Sequence, residues 1–152
     1  MKKYLRNYYS VAFFGGLVIG ILPAIIVNLL SSFFPVLVPE GLALANQILE
    51  ASSYGFLQYL FIFLVIVFSP IVEELIFRGG LWWLIEKFTN KNVAFIMSTI
   101  LFCLIHVDPL HVIGLIPISL FFGWLRYKTS SVKASILAHM TNNAVGCILM
   151  IL

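Results

Sequence analysis

Apolar runs long enough to enter a bilayer alternate along this chain with short polar stretches, and the alternation predicts helices at membrane spacing. A spanning helix needs about 20 largely apolar residues. The first run covers residues 11–38, with Pro23 inside it and Asn28, Ser31 and Ser32 softening its second half. Residues 39–54 form a polar connection that holds Glu40 and Glu50 and no basic residue. The second run, 55–87, is interrupted by Pro70 and then by Glu73, Glu74 and Arg78. Trp82 and Trp83 lie near its end, where interfacial aromatics are expected. A turn at 89–92 leads to a third helix over 93–106, which Asp108-Pro109 ends. The fourth span covers 110–127, residues 128–133 form a polar loop, and 134–152 make the fifth span. The expected fold is all-α: a polytopic membrane helix bundle of about five transmembrane helices. A break in the first or second stretch would make it six. The whole chain, 1–152, reads as one membrane domain, with 1–55 as N-terminal span and outer loop and 56–152 as a motif-bearing core.

Composition agrees with this pattern. Hydrophobic residues make up 62% of the chain and charged residues 10%, with mean hydropathy +1.08. A soluble domain carries about 25% charged residues, so a soluble globular class is excluded. Cys103 and Cys147 both fall inside apolar runs and read as small apolar residues rather than a disulfide. The N-terminal Lys2, Lys3 and Arg6 before an apolar run resemble a signal peptide, but a cleavable core is only about 7–15 residues long. The expectation is an anchor that stays.

Charge then gives an orientation. With five spans and the N-terminus inside, one side collects Lys2, Lys3, Arg6, Lys87, Lys91, Arg126, Lys128 and Lys133, and Arg78 lies on the same side within the membrane portion. The other side holds Glu40, Glu50 and Asp108. Cytoplasmic loops are the ones enriched in Lys and Arg. The expected location is an integral membrane protein of the cell membrane, its N-terminus cytoplasmic and its C-terminus outside.

The candidate chemistry sits in Pro70-Ile-Val-Glu73-Glu74-Leu-Ile-Phe-Arg78. A charge in hydrocarbon costs about 3 kcal/mol on insertion scales, and such groups usually face a bundle interior or a wet cavity. Glu74 and Arg78 are four apart and share a helix face, whereas Glu73 points elsewhere. One arginine pairs with one carboxylate, so Glu73 is left for function. His106 stands on the third helix, and His139 with Asn143, again four apart, on the fifth. Counting about 1.5 Å per residue from the turns puts Glu73 and His106 level, and His139 joins them if the hairpin of the second and third helices projects about 10 Å beyond the next loop. Asn142 reads as helix-to-helix glue, His111 as interfacial and Cys103 as core.

A glutamate and a histidine can deprotonate a water, while a second histidine and an amide stabilise the oxyanion formed on a carbonyl. Glu plus two His, here Glu73, His106 and His139, is also a zinc ligand set, so zinc is the one cofactor left open. Both routes end in peptide hydrolysis. A His-Glu-x-x-His pair and a Gly-x-Ser-x-Gly elbow are both absent.

Glu73-Glu74-x-x-x-Arg78, then Phe102-x-x-x-His106, then His139-x-x-x-Asn143 resemble the motifs of the CPBP intramembrane proteases, which include CAAX-processing endopeptidases and bacteriocin-processing and self-immunity proteins. The resemblance runs over about residues 67–145. It implies that Glu73 and His106 activate water, that His139 and Asn143 hold the oxyanion, and that Glu74 and Arg78 support them. The expected activity is an intramembrane endopeptidase acting on a membrane-associated or lipidated peptide. Its partners would be a peptide or membrane-protein substrate and the bilayer, with no nucleic acid. Two other classes compete: a non-catalytic immunity or scaffolding protein that keeps the motifs, and a proton-coupled transporter.

Overall fold

The computed structural model describes residues 2–33, 55–106 and 109–151. The connection expected over 39–54 and Asp108 lie outside these residues, as do the side chains of Pro23, Asn28 and His111. Five helices and no strand are found among the described residues: α1 (Lys2–Phe33), α2 (Phe56–Phe88), α3 (Lys91–Leu104), α4 (Pro109–Thr129) and α5 (Val132–Ile151). By length and composition α2 is, among the described residues, the one helix that can cross a membrane, while Asn7–Leu22 and α3 are shorter apolar helices.

Helix α2 is not broken at Pro70, so the alternative in which a break in this stretch adds a sixth helix is not realised. Its 33 residues run through, and two wider π turns, Leu64–Phe68 and Leu75–Leu81, absorb the disruption. Proline has no N–H, and its ring crowds the carbonyl four residues back. Widening the preceding turn relieves that crowding without ending the helix. The third helix stops at Leu104, two residues before the expected end, so His106 lies in the turn that follows, its N–H on the Cys103 carbonyl. At the other end of α3, Asn90 caps the helix by accepting from the N–H groups of Asn92 and Val93.

Helices successive in the chain alternate in direction. Phe77 meets Phe102 and Trp82 meets Phe95, so α2 and α3 are antiparallel. Phe95 meets Tyr127 and Ser119 reaches the Thr99 carbonyl, so α3 and α4 are antiparallel too. Helix α5 runs against α2, with His139 beside Glu74 and Asn143 beside Val65. It runs parallel to α1, where a Cβ on Gly16 would meet Ala138 and one on Gly20 would meet Val145. The two short turns therefore share one end of the bundle, where Tyr127 donates to Asn92 and Lys91 approaches Ser130. The start of α1 lies at that end as well, which gathers the basic segments as the charge pattern anticipates.

Two packing features set the bundle. Ala12, Gly16 and Gly20 recur every four residues on α1, and an added Cβ at Gly16 would stand 2.6 Å from the Ala138 carbonyl oxygen. Small residues at this spacing let two backbones approach closely, the packing mode favoured between helices in lipid. The second feature is Trp82, which is fully buried rather than interfacial. It packs edge-on against Phe95, lies under the Arg126 guanidinium and donates Nε1–H to Glu86 at 2.8 Å. Trp83, its neighbour, is exposed.

Candidate active site

Glu74 and Arg78 lie one turn apart on α2 and both are fully buried. Arg78 Nη1 donates to Glu74 Oε1 at 3.1 Å. Nη2 donates to the Ser119 carbonyl at 3.0 Å and to Ser119 Oγ at 2.6 Å. The guanidinium lies 4.3 Å over the Phe102 ring, so a cation–π contact covers a face that hydrogen bonds do not. The expected pairing of Arg78 with Glu74 is what the structure shows.

From α5, His139 enters between the two carboxylates. Its Nδ1 stands 3.1 Å from Glu74 Oε1, and its Nε2 is 3.8 Å from Glu73 Oε2. The ring stacks on Phe122 at 4.7 Å and meets the edge of Phe102 at 5.7 Å. A carboxylate already held by Arg78 acts as an acceptor, so Nδ1 carries the hydrogen and Nε2 is turned to Glu73.

Glu73 differs from its neighbour in setting. Its side chain is 24% exposed where that of Glu74 is 0%. The Ser69 hydroxyl, one turn earlier, donates to Glu73 Oε1. The two carboxylate oxygens are thus divided, Oε1 to serine and Oε2 toward His139.

His106 follows α3 and its Nδ1 is 2.9 Å from the Phe102 carbonyl. A carbonyl can only accept, so Nδ1 bears the hydrogen and Nε2 is the basic nitrogen. Phe102 links the two histidines, its ring centroid 5.0 Å from His106 and 5.7 Å from His139. Asn143 is committed elsewhere: its Nδ2 donates to the Val65 carbonyl at 2.9 Å, and its Oδ1 accepts from Asn142 at 3.2 Å. Cys103 is buried, as core packing requires.

Among the described residues, no three His, Cys, Asp or Glu side chains come together as a metal-holding group. Glu73, His106 and His139 as placed are not gathered into such a group.

Several participants escaped the sequence reading. Ser119 and Phe122 on α4 and Ser69 on α2 all touch the charged cluster. A serine inside an apolar helix is a weak sign of such a role, and Ser119 carries it. Phe122 carries none, because an aromatic in an apolar run is ordinary core.

Residues 55–145, more than half of the chain, match the family model described as Type II CAAX prenyl endopeptidase Rce1-like. The chain belongs to this family. It is 30% identical over 81 residues to the YxdF protein of Lactococcus lactis, covering 53% of this chain and 44% of that protein. It is also 29% identical over 77 residues to the Bacillus subtilis protein named "Putative membrane peptidase YdiL", covering 51% of this chain and 32% of that one. The chain thus matches less than half the length of either relative. No solved structure matches it. The matched segment contains every residue of the cluster, from Val65 to Asn143, whereas all of α1 lies outside it.

Proposed function

We propose that this chain is a polytopic membrane endopeptidase that hydrolyses a peptide bond of a membrane-associated or lipidated peptide, with water activated by Glu73. The observation that carries the reading is the placement of His139 between a partly exposed carboxylate, Glu73, and a buried one, Glu74. Family membership and the relative named as a membrane peptidase support the same class.

Glu73 Oε2 and His139 Nε2, 3.8 Å apart, can both be reached by one water at about 2.8 Å. Glu73 takes a proton from that water as its oxygen bonds to the scissile carbonyl carbon. In its imidazolium form His139 carries a hydrogen on both ring nitrogens, Nδ1–H toward Glu74 and Nε2–H toward Glu73. Nε2–H is then the donor for the oxyanion. When the C–N bond breaks, its electron pair stays on nitrogen, and the Glu73 carboxyl returns the proton to the leaving amine. His106 is the second proton acceptor, tied to the site through Phe102. Glu74, itself held by Arg78, orients His139 through Nδ1–H. The N-terminus lies on the cytoplasmic side, since the basic end of the bundle holds it.

The test is cleavage of lipidated and unlipidated model peptides by purified protein in detergent or nanodiscs. Glu73→Gln is expected to abolish cleavage while the protein stays folded. Retained cleavage by Glu73→Gln, or a cellular phenotype untouched by both Glu73→Gln and His106→Ala, would replace this reading with a non-catalytic immunity or scaffolding role.

A further inference from the structure

The amide of Asn143 is spent on a backbone carbonyl, and the reason lies in Pro70. In an α-helix the Val65 carbonyl accepts from residue 69, and in a π turn from residue 70. Here the Ser69 N–H goes to the Leu64 carbonyl, five residues back, and passes over Val65. Residue 70 is proline and has no N–H to give. Val65 is thus left without either helical donor, in a helix where an unpaired carbonyl costs several kcal/mol if it faces hydrocarbon. Asn143 Nδ2 fills the vacancy from α5 at 2.9 Å, and Asn142 in turn donates to Asn143 Oδ1, which fixes the amide's orientation.

At the second π turn of α2 a carbonyl is likewise skipped by its α-helical donor. The Trp82 N–H goes to the Phe77 and Gly79 carbonyls and skips Arg78, its α-helical acceptor. Arg126 on α4 donates Nε–H to the Arg78 carbonyl at 2.9 Å. Glu73 and Glu74 lie between the two turns. Each turn is therefore pinned to a different neighbouring helix by a side chain that caps its skipped carbonyl.

We propose that Asn143 is a positioning residue: it caps the carbonyl that Pro70 orphans, and so fixes the rotation of α2 that turns Glu73 and Glu74 toward His139. This rests on the proposed hydrolase for its effect on rate, but not for its effect on stability. It differs from the role implied by the motif resemblance, in which Asn143 holds the oxyanion beside His139.

A double-mutant cycle between Pro70 and Asn143 decides it. Pro70→Ala gives residue 70 an N–H, and Val65 then has a backbone donor whether the turn stays π or reverts to α. With Pro70 present, Asn143→Ala is expected to lower the thermal midpoint in detergent by about 3–6 °C. In the Pro70→Ala background the same change is expected to lower it by less than about half as much. Equal losses in both backgrounds would overturn the proposal, whether or not any peptide is cleaved. At a temperature where all four proteins are folded, Asn143→Ala should lower kcat with KM unchanged, and adding Pro70→Ala should recover part of that loss. Recovery of stability without any recovery of kcat would return Asn143 to the oxyanion.

Discussion

His139 Nδ1 and Arg78 Nη1 converge on a single oxygen, Glu74 Oε1, each at 3.1 Å. One buried carboxylate on α2 thus joins the cation of its own helix to the imidazole of α5. Its other oxygen, Oε2, is buried with no hydrogen bond. The pair behaves as one electrostatic unit, and its parts are not separable.

That unit predicts a stability signature. Glu74→Ala leaves the Arg78 charge buried with only Ser119 as oxygen partner, and Arg78→Ala leaves Glu74 opposite His139 alone. Either single change is expected to cost about 3–5 kcal/mol. The double variant should cost less than the sum, since each single change strands the other's charge. Denaturation of the four proteins in a common detergent measures this.

Glu73 should behave in the opposite way. It is partly exposed and stands 3.8 Å from His139 Nε2, so Glu73→Gln should shift the thermal midpoint by about 2 °C or less. Its loss of peptide cleavage should be about 10²–10⁴-fold. A large stability change with unaltered cleavage would show that Glu73 belongs to the structural pair instead.

Ser69 supplies a finer test of the same carboxylate. Its hydroxyl donates to Glu73 Oε1, so Ser69→Ala leaves the carboxylate to rotate. The expected effect is about tenfold on kcat, equivalent to about 1.4 kcal/mol. Ser69→Thr, which keeps the hydroxyl, should recover most of it.

The α1–α5 contact predicts a steric penalty. A Cβ at Gly16 would lie 2.6 Å from a backbone oxygen, and one at Gly20 would lie 2.9 Å from the Val145 Cβ. Gly16→Ala is expected to destabilise by about 1–3 kcal/mol and Gly20→Ala by less. A Cβ at Gly146 meets nothing within 4 Å, so Gly146→Ala serves as the neutral control on the partner helix.

Two adjacent tryptophans give a contrast in burial. Trp82→Ala removes a fully buried ring and its hydrogen bond to Glu86 and should cost about 3–5 kcal/mol. Trp83, 60% exposed, should cost about 0.5 kcal/mol or less on the same change. Chemical denaturation of each variant distinguishes them.

Much of the candidate site could be read from spacing alone. Four residues separate Glu74 from Arg78 and His139 from Asn143, and a helix brings such pairs to one face. That is why the Glu74–Arg78 bond and the common face of His139 and Asn143 were expected, and the structure turns that face onto α2. Spacing carries no information on which carbonyl a π turn will skip, so the bond from Asn143 to the Val65 carbonyl could not be read from it. Trp82 and Trp83 are indistinguishable in sequence, being the same residue at successive positions. A rotation of 100° puts one in the core and the other outside it.

The sequence by itself determined the helices, their order and the polar residues on or just after three of them, because hydrophobic runs and four-residue spacing are local properties. Tertiary structure decided which oxygen each donor reaches, since that depends on the rotation of α2 about its own axis. Pro70 and the two π turns set that rotation, and helices more than 40 residues away along the chain hold it through Asn143 and Arg126.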